Sequence, residues 1–150
     1  MPAKPAQQTE PAEACGDLIA IYQCLCDETR LRILNLLSHA GQDGGEGPLC
    51  VCHFQGLLEK PQVFISKHLS YLKAKGLVQA AKRGNWMIYT LPAKRAQELE
   101  NNLRCLQDCT QTHPIFKADL RRLKALKPEL QWMEARLAEP PPAAKACRSC

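Results

Sequence analysis

The sequence predicts a mainly α-helical protein with one short β-hairpin, arranged as a winged helix-turn-helix. Ile65, Leu69 and Leu72 recur at i, i+4 and i+7, which is the spacing of a single buried stripe on a short helix. Gly76 follows them, where a helix can end in the left-handed conformation. Two short apolar runs come next, and residues 82–85 (Lys-Arg-Gly-Asn) join them as the basic tip of a hairpin. The predicted order of elements is α-α-α-α-β-β-α-α.

Two helices are expected on the N-terminal side of this unit. Residues 1–14 offer little that a core could bury, so we expect them to be a disordered tail. A first helix then runs from about residue 17 to residue 26, on apolar residues at helical spacing. Asp27 suits the N-cap of a second helix over residues 28–39, whose apolar stripe is formed by leucines.

A third helix and a turn complete the predicted helix-turn-helix. Residues 41–48 carry four glycines and a proline, which is typical of a flexible loop. A short helix is expected over residues 49–58. Lys60 and Pro61 then form the turn into the next helix, because a proline is tolerated at the start of a helix but not inside one.

The C-terminal part of the chain is predicted to be helical and to contact a partner. Its first apolar residues keep a near-heptad spacing: Ala96, Leu99, Leu103 and Leu106. That narrow stripe favours a long helix packed against a second subunit. Pro114 should end this helix, and Pro128 should divide the chain beyond it into two further helical segments.

We therefore divide the chain into four segments. The disordered tail at residues 1–14 is followed by a winged-helix DNA-binding domain at residues 15–92. Residues 93–139 form C-terminal dimerisation helices, and the N-terminal helix is expected to serve dimerisation as well. Residues 140–150 form a flexible tail that contains two cysteines.

The distribution of charge favours double-stranded DNA as a partner. The formal net charge is +5, and residues 60–95 hold eight lysines and arginines but no aspartate or glutamate. A solvated basic face would also explain such a run. Its position on a predicted helix and hairpin, however, is typical of a helix that enters the major groove beside a hairpin that touches phosphate. The residues expected to contact DNA are Gln62, Ser66, Lys67, His68, Ser70, Lys73, Arg83 and Asn85.

The cysteine content indicates a protein with reactive thiols. No apolar run approaches membrane-spanning length and the N-terminus lacks a signal-peptide profile, so we expect a cytoplasmic protein with no membrane partner. Because the cytosol keeps thiols reduced, the nine cysteines are expected as thiols rather than disulfides. Thiols at this density favour a role with a soft ion or in redox chemistry.

Two pairs of cysteines are the candidate metal ligands. Cys50 and Cys52 would project about 200° apart on a regular helix, so they can share one ion only at a frayed first turn or with local unwinding. Cys105 and Cys109 are four residues apart, which places their Cβ atoms about 5–6 Å apart on one helical face. For either pair the alternative is a packing role, because cysteine is also a small apolar residue.

The other cysteines carry weaker signals. Cys147 and Cys150 form a C-x-x-C on the predicted tail, where they can serve as a mobile third ligand, bind zinc adventitiously or have no role. Cys15, Cys24 and Cys26 belong to the first helix and its approach, and core packing is the interpretation that suits them.

The chain resembles the arsenic-repressor (ArsR/SmtB) family of bacterial metal-sensing regulators. The segments that carry the resemblance are residues 25–37 (LCDETRLRILNLL), 49–54 (LCVCHF), 62–72 (QVFISKHLSYL) and 76–91, which ends in GNWMIYTL. The resemblance implies a homodimer that represses a resistance operon by binding its DNA operator. It also implies release from the operator when As(III) or Sb(III) binds as the inducer, with no organic cofactor.

The resemblance also implies roles for residues on the predicted DNA-binding elements. Gln62, Ser66, Lys67 and His68 lie where the recognition helix of the family meets DNA. Residues 83–85 correspond to the tip of the wing.

At the cysteines, the resemblance is specific to one branch of the family. Residues 50–52 match the arsenic-binding Cys-Val-Cys of the founding type. Gln55 stands where a third cysteine often follows, His53 replaces a usual acid, and Pro61 takes the place of a frequent capping serine.

Three other functions remain open from the sequence. The first is a repressor of the same fold that senses redox state through one of the two cysteine pairs. The second is a zinc-binding interaction module. The third is a thiol enzyme such as a reductase that uses Cys147 and Cys150, but the chain has no βαβ pattern, nucleotide-binding loop or catalytic Cys–His frame, so we expect no enzyme.

Overall fold

The computed structural model describes residues 11–139 of the 150-residue chain. Its elements in chain order are α1 (Pro11–Leu25), α2 (Glu28–His39), β1 (Leu49–Cys50), α3 (Val51–Leu58), α4 (Gln62–Ala74), β2 (Gln79–Arg83), β3 (Trp86–Thr90), α5 (Gln97–Cys109) and α6 (Pro114–Ala138). This is the predicted arrangement of a winged helix-turn-helix between N- and C-terminal helices. The tail predicted at residues 140–150 lies outside the described residues.

Helix α2 is the centre of the fold. Seven consecutive residues, 32–38, are buried in it, and it contacts α1, α3, α4, α5 and α6. A helix that is buried on all sides must lie inside the molecule rather than on its surface. Asp27 is its N-cap, as predicted, because the carboxylate accepts a hydrogen bond from the backbone N–H of Arg30 at 3.0 Å.

Helix α1 begins earlier than the sequence suggested. It starts at Pro11, so the prediction of a disordered tail is wrong for residues 11–14, and residues 1–10 lie outside the described part of the chain. The physical reason is local. Proline is well suited to the first helical position, and the Ala-Glu-Ala that follows it consists of strong helix formers.

The wing is part of a three-stranded antiparallel sheet in the order β1-β3-β2. Arg83 pairs with Trp86 at the end of the hairpin, which leaves Gly84 and Asn85 as a two-residue turn. Gly84 has φ +58°, a conformation that costs glycine little. The third strand, β1, was not predicted: residues 49–50 are not helical, because they pair with the other edge of β3 and satisfy its backbone groups.

The leucine stripe of α5 is covered by its own subunit. Leu99, Leu103 and Leu106 are buried within the single chain, where α5 packs against α1 and α2. The prediction that this stripe faces a second subunit is therefore wrong. An apolar stripe is equally well buried by an intramolecular neighbour, and helical spacing alone does not distinguish the two.

Helix α6 runs without a break through Pro128, against the prediction of two segments. A proline inside a helix costs about 3 kcal/mol, but the halves on either side are held by tertiary contacts. Leu123 precedes the proline and Leu130 follows it, both fully buried, and the amine of Lys127 donates to the carbonyl of His39 at 3.1 Å.

Long as it is, α6 lacks the apolar character needed to cross a bilayer, and so does every other helix within residues 11–139.

Candidate DNA-binding surface and cysteine site

The recognition helix α4 has one apolar face and one polar face. Its buried residues are Ile65, Leu69 and Leu72, as the spacing predicted. Of the candidate DNA contacts on α4, Gln62, Lys67, Ser70 and Lys73 are exposed and Ser66 is half-buried. The helix ends before Gly76, which has φ +76°. These buried apolar residues therefore fix the rotation of α4 and point its donors and cations outward.

The wing tip adds a second basic element to this surface. Lys82, Arg83 and Asn85 are all exposed at the end of the β2–β3 hairpin. Because residues 79–83 carry no acid and the turn is only two residues long, the tip presents its cations without a paired carboxylate on the same strand. Such a tip has the charge and the shape that contact with a phosphate backbone requires.

His68 is placed differently from the other predicted contacts. Only 13% of its side chain is exposed, and its Nδ1 lies 3.7 Å from the carboxylate of Asp27. Its ring packs edge-on against Phe64, with centroids 4.7 Å apart. Burial lowers the pKa of His68, although Asp27 opposes this shift. The imidazole thus faces the start of α2, and its contact with DNA stays a prediction.

The two sulfur atoms of Cys50 and Cys52 meet where β1 joins α3. Cys50 ends the strand and is the N-cap of the helix, with an extended backbone (φ −97°, ψ 168°), while Cys52 lies in the first turn. This change of backbone direction brings the Cα atoms to 5.5 Å and the sulfurs into the contact of a disulfide. The spacing required an irregular first turn for the pair to converge, and the end of a strand provides it. Cys50 is buried and Cys52 is exposed.

His53 is the third donor at this position, and the sequence prediction missed it as a ligand. Its Nδ1 accepts the backbone N–H of Cys50 at 3.2 Å and lies 3.3 Å from the Cys50 sulfur. Its Nε2 lies 3.6 Å from a carboxylate oxygen of Glu129 on α6. Burial lowers the pKa of His53, with Glu129 opposing the shift, so the neutral imidazole is favoured. The available signal was the position of this residue, three places after the first cysteine.

The second candidate pair lies on an open surface. Cys105 and Cys109 are both exposed on α5, and the structure brings no third donor to them within residues 16–139: the one cluster of three found there is Cys50, Cys52 and His53. Slight desolvation, together with the neighbouring Cys105, raises the pKa of the Cys109 thiol. These thiols can form a pair, as the spacing predicted, but the site is incomplete in a single subunit.

The remaining cysteines divide into a core residue, a surface residue and three that are not described. Cys24 is fully buried, and this burial raises the pKa of its thiol, which fits the predicted packing role. Cys26 is exposed and does not pack in the core. The side chains of Cys15, Cys147 and Cys150 lie outside the described residues.

Helix α6 is joined to α2 and α3 through two arginines that the sequence did not single out. Arg122 donates to the carbonyl of Leu57 at 3.3 Å and to the carboxylate of Glu59 at 3.1 Å, at the end of α3. Asp119 accepts two hydrogen bonds of 2.7 Å from Arg32 of α2, in a buried pair. Since Glu129 reaches His53 at the other end of α3, α6 contacts both ends of that helix.

Comparisons with known proteins identify the family of the chain. The family model described as "Bacterial regulatory protein, arsR family" matches residues 27–80. The chain is 38% identical over 97 residues to the arsenical resistance operon repressor of Escherichia coli, covering 62% of this chain and 78% of that protein. It is 33% identical over 91 residues to the arsenic resistance transcriptional regulator ArsR1 of Pseudomonas putida, covering 61% and 66%.

Among solved structures, the winged helix-turn-helix DNA-binding domain of Mb0332 from Mycobacterium bovis is similar in fold. Its TM-score is 0.55 at 21% identity, and the match covers 74% of this chain and 94% of that one. The fold and the sequence relatives agree, and we conclude that the chain belongs to the ArsR family of bacterial regulatory proteins.

Proposed function

We propose that this protein is a homodimeric repressor of a metalloid-resistance operon and that As(III) or Sb(III) releases it from its operator by binding Cys50 and Cys52. The observation that carries the proposal is the meeting of these two sulfurs at the start of the helix-turn-helix. The names of the relatives support it, since two of them are regulators of arsenic resistance.

The residues at this position fit a thiophilic ligand. Thiolates are the soft donors that soft ions select. Cys50 is the N-cap of α3 and Cys52 lies in its first turn, and the positive end of the helix dipole stabilises negative charge there. Cys50 and Cys52 would hold the metalloid as thiolate ligands where β1 joins α3.

The position of the pair links it to both DNA-contacting elements. Cys50 belongs to β1, which pairs with β3 of the wing at Ile88, and α3 leads directly into the recognition helix α4. A change in the first turn of α3 therefore reaches the wing on one side and α4 on the other. A coupling free energy of about 1–3 kcal/mol between the ligand and DNA would be ordinary for such a switch.

Dimerisation is proposed on the exposed face of α1 rather than on the leucine stripe of α5. Ile19 and Tyr22 lie three residues apart on α1 and are 55% and 52% exposed. Residues three apart on a helix are neighbours, so these two form one apolar surface that a second subunit can cover. A dimer that reads two half-sites holds its recognition helices about 34 Å apart.

A second candidate function is a redox-sensing repressor of the same fold. It is favoured by the disulfide contact between the Cys50 and Cys52 sulfurs. In this version the two thiols lose two electrons and two protons to an oxidant and form the disulfide. The cysteines are the same as in the first proposal, so only the inducing chemistry separates the two.

The test is operator release under anaerobic, reducing conditions. The reduced protein is bound to fluorescently labelled operator DNA, and arsenite or antimonite is titrated while anisotropy is measured. We expect the wild type and the matched control Cys105→Ser/Cys109→Ser to dissociate, and Cys50→Ser/Cys52→Ser to stay bound. If wild-type protein ignores both metalloids and dissociates only on oxidation, the redox function replaces the first proposal. If metalloid releases both double variants equally, neither of these cysteine pairs is the sensor.

A further inference from the structure

We propose that Val63 of the recognition helix α4 is a specificity-determining residue that contacts the 5-methyl group of a thymine in the major groove of the operator. The inference rests on the DNA-binding part of the proposed function and does not depend on the inducer. The partner of Val63 is a base edge. The contacts expected from Lys67 and from the wing are with phosphate, which carries no sequence information.

The first support is the exposure of Val63. Its side chain is 83% exposed, the largest value among the exposed large apolar side chains of the described residues. It does not belong to the residues within that part of the chain that pack against the core. Its neighbour Phe64 differs, because that ring packs against His68 with centroids 4.7 Å apart and lies 5.7 Å from the amine of Lys60. The apolar surface of Val63 is therefore open to a partner.

The second support is the direction of the side chain. Val63, Lys67 and Ser70 recur at i, i+4 and i+7 on α4, and all three are exposed. With about 100° of rotation per residue, this stripe lies on the side of the helix opposite its buried stripe. Val63 therefore faces the same way as the polar residues of α4 that are expected to contact DNA.

The third support is the place of Val63 along the helix. Helix α4 begins at Gln62, so Val63 lies in its first turn. In helix-turn-helix proteins, the N-terminal residues of the recognition helix contact base edges. This first turn carries no acid, and neither do residues 60–95 as a whole, so the positive end of the helix dipole is not offset by a carboxylate. Such a charge around Val63 favours DNA over an apolar protein surface as its partner.

The fourth support is the chemistry of the base edges. In the major groove, thymine presents an apolar group, the C5-methyl, while the polar atoms of the bases are hydrogen-bond donors and acceptors. Valine has no donor or acceptor in its side chain, so this methyl group is the feature that it can recognise. Removing one methyl group from such a contact should weaken binding about fourfold. Gln62 and Ser66, which flank Val63, can bond to the polar edges of neighbouring bases.

The experiment deletes that methyl group from the DNA. A duplex that the full-length wild-type protein binds is first selected from a random pool, in the absence of metalloid. Each thymine of one half-site is then replaced in turn by deoxyuridine, which lacks only the 5-methyl group. The Kd is measured by anisotropy at one fixed salt concentration. We expect one position at which the wild type loses affinity about fourfold.

The variants assign this loss to a residue. In Val63→Ala, deoxyuridine at the same position should no longer change the Kd. Lys67→Ala is the matched change one turn along the exposed stripe. It should bind every duplex more weakly and keep the fourfold loss, because a phosphate contact weakens binding uniformly across sequences. Since Val63 is exposed, Val63→Ala should unfold at the same urea concentration as the wild type.

The inference is overturned if the wild type loses no affinity at any thymine, or if Val63→Ala keeps the loss. Dissociation of the dimer by Val63→Ala in sedimentation experiments would also overturn it, because a second subunit would then cover the side chain. None of these results affects metalloid release, which is measured separately on unmodified operator DNA. A wild-type protein that selects no duplex from the pool would overturn the repressor function together with this inference.

Discussion

The two cysteine pairs differ in the residues and secondary-structure elements that surround them. Cys105 and Cys109 have the spacing that suits chelation on a regular helix, yet they project from α5 toward solvent with no third donor among the described residues. Cys50 and Cys52 have a spacing that a regular helix cannot use, yet they meet at a strand–helix junction beside His53. For a sensor, the second arrangement is the more useful. A ligand there would act on the elements that we propose to contact DNA, whereas a ligand on α5 would join two turns of one regular helix.

The largest expected effect comes from breaking the ion pair that joins α6, which lies next to the first cysteine pair, to α2. Asp119→Ala removes the buried partner of Arg32 and leaves only the exposed Glu28, 3.7 Å away. Breaking a buried ion pair from one side costs about 3–5 kcal/mol. We expect the free energy of unfolding in urea to fall by that amount. Asp108→Ala, an exposed acid on α5, should change it by less than about 0.5 kcal/mol. A small effect at Asp119 would show that α6 is not held by this pair.

A second prediction contrasts a lysine on α4 with a lysine on α6. Lys67→Ala on the recognition helix removes one proposed phosphate contact, so the slope of log affinity for operator DNA against log salt should decrease in magnitude by about 1. Lys117→Ala, an exposed lysine on α6 after the second pair, should leave the slope unchanged. Anisotropy titrations at several salt concentrations measure both. Equal slopes in Lys67→Ala and the wild type would remove Lys67 from the DNA interface.

A third prediction tests whether α6 helps to transmit ligand binding. Arg122→Met loses the contacts with Leu57 and Glu59 at the turn before α4. Residues of this kind modulate coupling by about 0.5–2 kcal/mol, so we expect metalloid to release the operator less completely at the same occupancy. Arg121→Met, the exposed neighbour, is the matched control. If both variants respond like the wild type, α3 transmits the signal without α6.

The smallest effect concerns the second pair alone. A raised pKa leaves less thiolate at a given pH, and the thiolate is the form that reacts. Alkylation of Cys109 by iodoacetamide near neutral pH should therefore be slower in the folded protein than in the same peptide after denaturation. The difference should disappear as the pH rises well above about 8.5, the ordinary thiol value. Mass spectrometry of the Cys109 peptide follows the rate, and faster alkylation in the folded state would contradict the expected shift.

The features that were predicted correctly are those set by residues close together in the sequence. The N-cap at Asp27, the buried stripe of α4 and the end of that helix at Gly76 each depend on interactions within about one turn, and all three were predicted. The hairpin tip was predicted for the same reason, since a two-residue turn is set by its own residues.

The candidate site was predicted only in part. Cys50 and Cys52 were identified as a pair, but the strand that brings them together depends on pairing with Ile88 and Tyr89 of the wing. His53 acquires its carboxylate from Glu129, on the last helix of the chain. Neither β3 nor Glu129 produces a pattern in the residues next to the cysteines. The spacing of the cysteines therefore could not predict these two contacts.

By itself, therefore, the sequence determined the hairpin, the N-cap of α2, the end of α4 and the polar face of the recognition helix, because short-range hydrogen bonds and hydrophobic periodicity decide those features. Only the tertiary structure decided that the α5 stripe is buried internally, that α6 continues through Pro128, and that two cysteines and a histidine converge. These outcomes depend on contacts between distant segments, such as Arg32 with Asp119, 87 residues apart. The packing energy of such contacts exceeds the local preferences that a sequence displays.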